Sequence, residues 1–189
     1  MTRKFRMSSV ATEKLVGLCG KTVVAECVTR WNSNMLMIER LLELKEHLGQ
    51  VCNEMEWDCF LASEWAKLDE LCQLLKPFTD HTNIMQTDKF ALSNVIPVLL
   101  DLSGHLSSSS LPVAKSLLTS LQKRFDILLN PENPQFDSLP SAACLLDPSV
   151  ASILQTPSTT GLLSAAKTFI CQTKEVSTEI NLTYCSVNV

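Results

Sequence analysis

Apolar side chains that recur every three or four residues constrain this chain more than any other feature of its sequence. In the stretch MLMIERLLELKEHL they fall at helical spacing, and most of the charged residues lie on the opposite side. Later segments repeat the same period as far as about residue 176. The 189 residues include only five glycines and one tyrosine, which leaves little material for turns and strands. The sequence therefore predicts an all-α, helix-dominated fold, with at most one or two short strands near the N-terminus.

Capping residues and prolines indicate where the helices begin and end. Gly20 should stop the first helix, and Pro77 should bend or stop the third, which leaves its continuation to Met85 open. The β-branched run KTVVAECVT can be a strand or an extended connection. The tail INLTYCSVNV has no helical period and is expected to be irregular. The predicted helices cover residues 9–19, 32–51, 63–78, 93–106, 112–128, 141–146, 148–154 and 160–176.

Positive charge is concentrated at the N-terminus. Residues 1–30 carry six basic and two acidic side chains, whereas the whole chain has a net charge of -4. Binding to nucleic acid needs several Lys or Arg contacts to phosphates, so only this arm can attract a polyanion. Arg3, Lys4 and Arg6 are therefore candidate DNA contacts. The alternative is a solvated, irregular N-terminus.

Composition and spacing favour neither catalysis nor a metal. The eight cysteines and three histidines lack the paired spacing of zinc ligands, since even Cys52 and Cys59 have six residues between them. No nucleophile motif or phosphate-binding loop is present. We therefore expect no catalytic residue, no metal, no cofactor and no small-molecule substrate. The start of the chain does not resemble a signal peptide and no apolar run is long enough to span a membrane, which predicts an intracellular protein with free thiols.

Arg30 and Trp31 stand directly before the first long helix, where a small polar cap would be usual. An indole beside a guanidinium offers a stacking surface and a fork for a phosphate, as single-stranded or flipped-base recognition requires. The alternative is structural, with Trp31 as a core anchor and Arg30 paired to an acidic residue. Both interpretations stay open on the residues alone.

The motifs TRWNS at residues 29–33, LLKPF at 74–78 and LLDP at 145–148, in this order and spacing, resemble the central part of hAT-superfamily transposases and their domesticated zinc-finger BED-type relatives. The resemblance covers roughly residues 5–155. Its most specific element is TRWNS followed by the M-x-x-R-L-L pattern of Met37 to Leu42, and LLKPF and LLDP support it. The other segments that carry it are FRMSSVATEKL, LDELCQLLKPFTDHTNIMQTDKFALSNVIPVLLDL, KRFDILL and AACLLDPSV.

The resemblance implies a passage from an RNase H-like core into a helical insertion domain at the TRW motif. It also implies that Trp31 corresponds to a tryptophan that stacks near the transposon end. The implied domains are a basic arm with a core remnant at 1–30, a helical insertion-type domain at 31–155 and a divergent helix and tail at 156–189. We expect the Asp-Asp-Glu triad and the BED finger to be missing. Ser149 replaces the usual basic residue after LLDP, which weakens a DNA-facing role there.

Two functional hypotheses follow. The first is a catalytically inactive, transposase-derived protein that binds a protein partner, in the nucleus rather than the cytoplasm, through apolar helix faces left open to solvent. The second is a DNA-associated transcriptional regulator that uses the basic arm with Arg30 and Trp31. The sequence does not name the partner.

Overall fold

The computed structural model describes residues 1–24, 31–88 and 90–186, with the backbone alone at 31–32 and 175–186. The described residues contain helices and no strand, which confirms the all-α fold. Contacts divide the chain into two compact units, unit 1 from Met1 to Asn83 and unit 2 from Ile84 to Val189. The predicted domain boundaries near residues 30 and 155 follow the family resemblance, and they stay a prediction.

Unit 1 contains five helices, the last of which ends two residues into unit 2. Its core is formed by nine buried residues, which come from all five of these helices and from the junction of α3 with α4, with aromatic and sulfur-containing side chains packed around them. The helices are α1 Thr2–Met7, α2 Ser9–Cys19, α3 Trp31–Glu43, α4 Lys45–Glu54 and α5 Ala62–Met85. The buried core residues are Phe5, Ala11, Leu15, Leu41, Leu44, Leu48, Val51, Cys52 and Trp65.

The predicted first helix is confirmed at both ends. The Ser8 hydroxyl accepts the Ala11 backbone N–H at 3.2 Å, which satisfies one free donor of the first turn of α2. Gly20 ends the helix with a left-handed φ of 70°, a conformation that glycine adopts without steric cost, and its N–H donates to the Val16 carbonyl. Residues 21–24 of the strand candidate have no regular structure, and 25–29 lie outside the described residues.

One predicted helix, residues 32–51, is interrupted. Leu44 leaves helical geometry with φ -94° and ψ 6°, and it separates α3 from α4 while remaining 2% exposed. Its N–H still donates to the Arg40 carbonyl, and its carbonyl still accepts the Leu48 N–H. The prediction of a single helix was wrong at this residue, because the burial of Leu44 is achieved with a local change of backbone direction.

α5 differs from its prediction at both ends. It starts at Ala62 rather than at a Ser63 cap, since the Leu61 N–H donates to the Glu64 carboxylate at 2.8 Å, the carboxylate half of a capping box. It also continues through Pro77 to Met85. A proline removes one backbone donor, and helices usually bend or end there. In this helix the turns after the proline are nevertheless formed.

Unit 2 contains five α-helices and three short 3-10 turns. Its helices are α6 Val95–Ser108, α7 Pro112–Arg124, α8 Asp126–Leu129, α9 Leu139–Leu146 and α10 Thr160–Ser186. The 3-10 turns are Leu92–Asn94, Ala151–Gln155 and Pro157–Thr159. A buried cluster of Ile96, Cys144, Leu154 and Leu162 joins α6, α9, a 3-10 turn and α10.

Three predicted elements of unit 2 needed correction. The helix predicted at 112–128 is divided at Phe125 into α7 and α8, and the segment 148–154 forms a 3-10 turn rather than an α-helix. The C-terminal segment predicted to be irregular continues α10 as far as Ser186. The absence of an apolar period therefore did not prevent a helix there, since backbone hydrogen bonds extend a helix that has already begun.

Ser93 and Asp147 connect distant parts of unit 2. Ser93 lies in the 3-10 turn before α6, is 6% exposed, and donates its hydroxyl proton to Asp147 Oδ2 at 2.7 Å. The N–H and hydroxyl of Ser149 donate to Asp147 Oδ1 at 3.0 and 2.6 Å. The hydrogen bonds from Ser149, and then that from Ser93, lower the pKa of Asp147. The helix cap predicted at Ser93 is thus a tertiary contact with the LLDP segment.

Substitution of Phe5 tests whether the N-terminal helix is part of the core. Phe5 is fully buried, whereas Met7 on the same helix is 80% exposed. We expect Phe5→Ala to lower the free energy of unfolding by about 3–5 kcal/mol and Met7→Ala to change it by less than about 0.5 kcal/mol. All three tryptophans lie in unit 1, so denaturant unfolding followed by their fluorescence reports on this unit. Equal stability of the two variants would contradict the packing of α1.

The pH dependence of unit 2 tests the Ser93–Asp147 contact. Because hydrogen bonds lower the pKa of folded Asp147, its carboxylate stabilises the fold above pH about 4 and loses this effect as the pH falls through the lower, folded-state pKa. We expect Ser93→Ala to lower the thermal midpoint at pH 7 by a few degrees and this difference to shrink in acid. Circular dichroism measures it, with Ser107→Ala as the control, because the Ser107 hydroxyl bonds only its own helix. If the difference in thermal midpoint between Ser93→Ala and the wild type does not depend on pH, Asp147 is not the partner through which Ser93 stabilises the fold.

Candidate functional site

An apolar groove of about 580 Å³ lies between α9 and α10 in unit 2. The α9 side is formed by residues spaced i, i+3, i+4 and i+7, the spacing that places side chains on one helix face. The α10 side ends in one hydroxyl and one ammonium group. The groove is lined by Leu139, Ala142, Ala143, Leu146, Phe169, Ile170, Thr173 and Lys174.

The composition of α9 explains why this groove is open to solvent. The helix buries Pro140, Ser141, Ala142 and Cys144, and it still has exposed leucines near both ends. Leu139 is 47% exposed and Leu146 is 68% exposed. Single exposed leucines are ordinary, but two of them on the edge of one apolar cavity form a contiguous patch. Because α9 is apolar on nearly all sides, we expect a second face of this helix to be covered as well.

The N-terminal arm is a packed helix rather than an irregular segment. Phe5 anchors α1 in the unit 1 core, with its ring edge-on to Trp57 at a centroid distance of 5.5 Å. Arg3, Lys4 and Arg6 are exposed on this short helix, and the Lys4 ammonium lies 5.9 Å from the centre of the Trp57 ring. The structure therefore places three of the predicted DNA contacts on one anchored helix, and their exposed side chains form what we call the α1 basic surface.

The other cations of the first thirty residues contribute less to a polyanion site. Lys14 forms an ion pair with Glu54, and Lys21 forms one with Glu43. The hydrogen bond from Lys21 is the main cause of the lowered pKa of Glu43. Among the described residues, no carboxylate pairs with the three cations of the α1 basic surface. The charge available to a ligand is therefore concentrated on α1.

Arg30 lies outside the described residues. Trp31 is the first residue of α3, and only its backbone is described. The helix thus begins one residue before the predicted start at residue 32, and Trp31 belongs to it rather than standing before it. Whether the indole stacks on a ligand or packs in the core stays a prediction.

The described residues show neither a metal-binding cluster nor a membrane-spanning helix. In residues 1–24, 33–88 and 90–174, no three His, Cys, Asp or Glu side chains lie close enough together to hold a metal ion. Over the described helices, none has the length and apolar character needed to cross a bilayer. The expectations of no metal and no cofactor stay predictions.

Comparison with known proteins gives partial similarities. No family model and no solved structure matches the chain. Zinc finger BED domain-containing protein 4 of Homo sapiens is 29% identical over 78 residues, which cover 41% of this chain and 7% of that protein. "Putative transcriptional regulator tpeD" of Talaromyces stipitatus is 34% identical over 84 residues, which cover 43% of this chain and 10% of that protein. The chain thus matches a tenth or less of the length of either relative.

Sequence reasoning identified the basic residues but missed two features of these surfaces. It did not assign Phe5 as the anchor of α1, although an aromatic residue among cations is a common sign of an amphipathic turn. It also missed the groove. The signal was present in the i, i+3, i+4, i+7 spacing from Leu139 to Leu146, but the predicted helix began too late, at Ser141, to include its first member.

Proposed function

We propose that this chain is a catalytically inactive protein-interaction module whose α9–α10 groove binds an amphipathic helix from another protein. The observation that carries the proposal is the apolar groove of about 580 Å³ with two exposed leucines at its edge. Helix-in-groove binding is a common mode of peptide recognition, in which apolar anchors at helical spacing enter a hydrophobic cleft. The proposal assigns the chain no catalytic residue and no small-molecule substrate.

The dimensions of the groove suit a short helical ligand. The α9 edge from Leu139 to Leu146 spans seven residues, or roughly 10 Å at the helical rise of 1.5 Å per residue. Two turns of a partner helix fit along this length. Between the two leucines, Ala142 and Ala143 have short side chains, which allow the backbone of a partner helix to approach closely.

Lys174 suggests the polarity of the partner. It is the cation among the residues that line the groove, and it lies beside Thr173 at the polar end of the α10 edge. Its positive charge attracts a carboxylate to this end of the groove, while the apolar residues of the partner helix face Leu146 and Phe169. We therefore infer a ligand with apolar residues at i, i+3 or i+4 and i+7, and with an acidic residue at one end.

The partial similarities support a setting for this interaction. One relative is named for a BED zinc finger, as are the relatives that TRWNS, LLKPF and LLDP resemble, and the other is named for transcriptional regulation. We propose that the chain derives from a hAT-superfamily transposase and acts in the nucleus, as part of transcription regulation. The chain matches a tenth or less of the length of each relative, so the proposal takes no other property from them.

Selection from a displayed library of amphipathic helical peptides tests the groove. We expect wild-type protein to enrich peptides with the apolar spacing and an acidic residue, and Leu146→Asp to weaken their binding at least tenfold, since a carboxylate in the cleft is desolvated by the ligand. Leu146 is 68% exposed, so its substitution should leave the fold intact, which circular dichroism checks. Fluorescence anisotropy measures the affinity of each enriched peptide.

Met7→Asp is the matched control, because Met7 is as exposed as Leu146 but lies on α1 of unit 1. It should bind the peptides with wild-type affinity. Enrichment of the same peptides by wild-type and Leu146→Asp protein would overturn the proposal. So would a concentration-dependent dimer in sedimentation velocity that Leu146→Asp abolishes, because the groove would then be occupied by a second copy of this chain.

A second candidate function is association with DNA through the α1 basic surface. The observation that favours it is that Arg3, Lys4 and Arg6 are exposed on a helix fixed by the burial of Phe5. A fixed array of cations loses less conformational entropy on binding phosphates than an unstructured arm does. The predicted contributions of Arg30 and Trp31 would add to this surface, and they belong to the same proposal.

The salt dependence of DNA binding tests this second function. If three phosphates are neutralised, the logarithm of the binding constant should fall with the logarithm of salt concentration with a slope of about -2.7 on duplex DNA. Replacing Arg3, Lys4 and Arg6 by Gln should remove most of this slope. Replacing the three exposed cations of α7, Lys115, Lys123 and Arg124, is the control with equal charge change. If the wild-type protein does not retard DNA in electrophoresis at low salt, or if both variants lose the same binding affinity, DNA binding by the α1 basic surface is rejected.

A further inference from the structure

Cys52 and Cys59 meet in unit 1. Cys52 lies on α4 and is 1% exposed, while Cys59 lies in the connection between α4 and α5 and is partly exposed. Cys59 is close enough to Cys52 to affect its ionisation, and it packs against the hydrophobic cluster to which Cys52 belongs. Six residues separate them in the sequence, so the connection must turn back on itself to join the two thiols.

Specific contacts hold the connection in this turned conformation. The Trp57 N–H donates to the Cys52 carbonyl at 2.8 Å, which brings the chain back to the end of α4. Glu56, directly before it, has a left-handed φ of 53°, which is uncommon for a residue other than glycine. Phe60 then packs edge-on to Trp65 at 5.1 Å. The approach of Cys59 to Cys52 is therefore fixed by the backbone and by ring contacts on the far side of Cys59.

The other described thiols have different surroundings. Cys19 packs against the same cluster, but its thiol donates to the Leu15 and Lys21 carbonyls. Cys72 and Cys144 are also desolvated by their surroundings, but the groups that raise their pKa values further are carboxylates, not a second thiol. Cys171 is exposed on α10. Two thiols without a third ligand do not suit zinc, which takes four ligands in structural sites, and no larger ligand group exists among the described side chains. The pair is suited to redox chemistry instead.

We propose that Cys52 and Cys59 form a thiol–disulfide exchange site that is oxidised by low-molecular-weight disulfides such as oxidised glutathione. The inference is independent of the function proposed for the groove. Cys59 is the entry point because it is the more exposed thiol, and Cys52 is the resolving thiol because it lies buried in the cluster against which Cys59 packs.

The exchange proceeds in two balanced steps. The Cys59 thiolate attacks one sulfur of the oxidised glutathione, forms a mixed disulfide and releases one glutathione thiolate. Cys52 then gives its proton to solvent and attacks the Cys59 sulfur, which forms the Cys52–Cys59 bond and releases the second glutathione. In total, two protein thiols are oxidised and one glutathione disulfide is reduced to two thiols.

The environment of Cys52 sets the pH dependence of the second step. Burial, followed by the interaction with the neighbouring Cys59 thiol, raises the pKa of Cys52 to about 11, while Lys4 and the N-terminal amino group oppose this change. Little Cys52 thiolate exists at neutral pH, so closure of the disulfide is slow there and accelerates as the pH rises toward 11. A thiol of high pKa is also a poor leaving group, so the closed disulfide should resist reduction at Cys52.

Peptide mapping of the full-length chain tests the proposal. Trypsin releases residues 46–67 as one peptide that contains only Cys52 and Cys59, and cleavage after Glu54 or Glu56 separates the two. After treatment with oxidised glutathione and alkylation with N-ethylmaleimide, we expect this peptide to carry no alkyl group and no glutathione. Its two glutamyl-cleavage fragments should stay joined until a reductant is added. The yield at fixed time should increase between pH 7 and pH 9.

Three variants complete the test. Cys52→Ala should trap glutathione on Cys59, because no resolving thiol is left, and Cys59→Ser should leave Cys52 unmodified. Cys171→Ser is the control, and its 46–67 peptide should close as in the wild type. Because Cys52 is buried, Cys52→Ala is first checked for folding by circular dichroism, and the wild-type and Cys59→Ser results decide the question without it.

Two outcomes would overturn the proposal. The first is wild-type protein that carries stable glutathione on Cys59 without forming the bond to Cys52. The second is modification of exposed Cys171 while both Cys52 and Cys59 remain open to alkylation after unfolding.

Discussion

The burial of the apolar face of α4 is the interaction on which unit 1 depends. Leu48 and Val51 are fully buried, and Leu44 extends the same face at the junction with α3. Against this face pack Phe5 of α1 and Leu15 of α2, so that helices from the beginning and the middle of the unit share one core. The exposed positions of the α1 cations and the meeting of the two thiols both follow from this packing, because Phe5 and Cys52 belong to the same cluster.

The helical class and several helix ends could be predicted because they depend on local chemistry. Ser8 and Gly20 cap α2 through bonds within a few residues, and such patterns are visible in a sequence. Where the structure differs from the predicted helices, the cause is either tertiary packing or the extension of a helix that has already formed. Leu44 interrupts a helix while it stays in the core, and Pro77 fails to end α5. Propensity alone gives no weight to the packing energy that decides such cases.

The candidate surfaces could be predicted only in part for the same reason. The charge of Arg3, Lys4 and Arg6 is a property of composition, so the sequence was sufficient to select them. The groove exists because the described part of the chain leaves one face of α9 open to solvent. Two leucines at helical spacing give the same sequence pattern whether they are buried or exposed, so the sequence could not reveal it. The Cys52–Cys59 pair required the turned conformation of the connection, for which Glu56 and its left-handed backbone offer no sequence signal.

The hydrogen bond between Ser93 and Asp147 also has a consequence for the order in which unit 2 folds. The two residues are 54 positions apart, and α6, α7, α8 and α9 lie between them. Contacts between the sequence neighbours α6 and α7 close a short loop, whereas the Ser93–Asp147 bond closes a long one and fixes more chain at once. The helical pair should therefore form early, and the carboxylate should join the serine late. Loss of this bond should accelerate unfolding more than it slows folding.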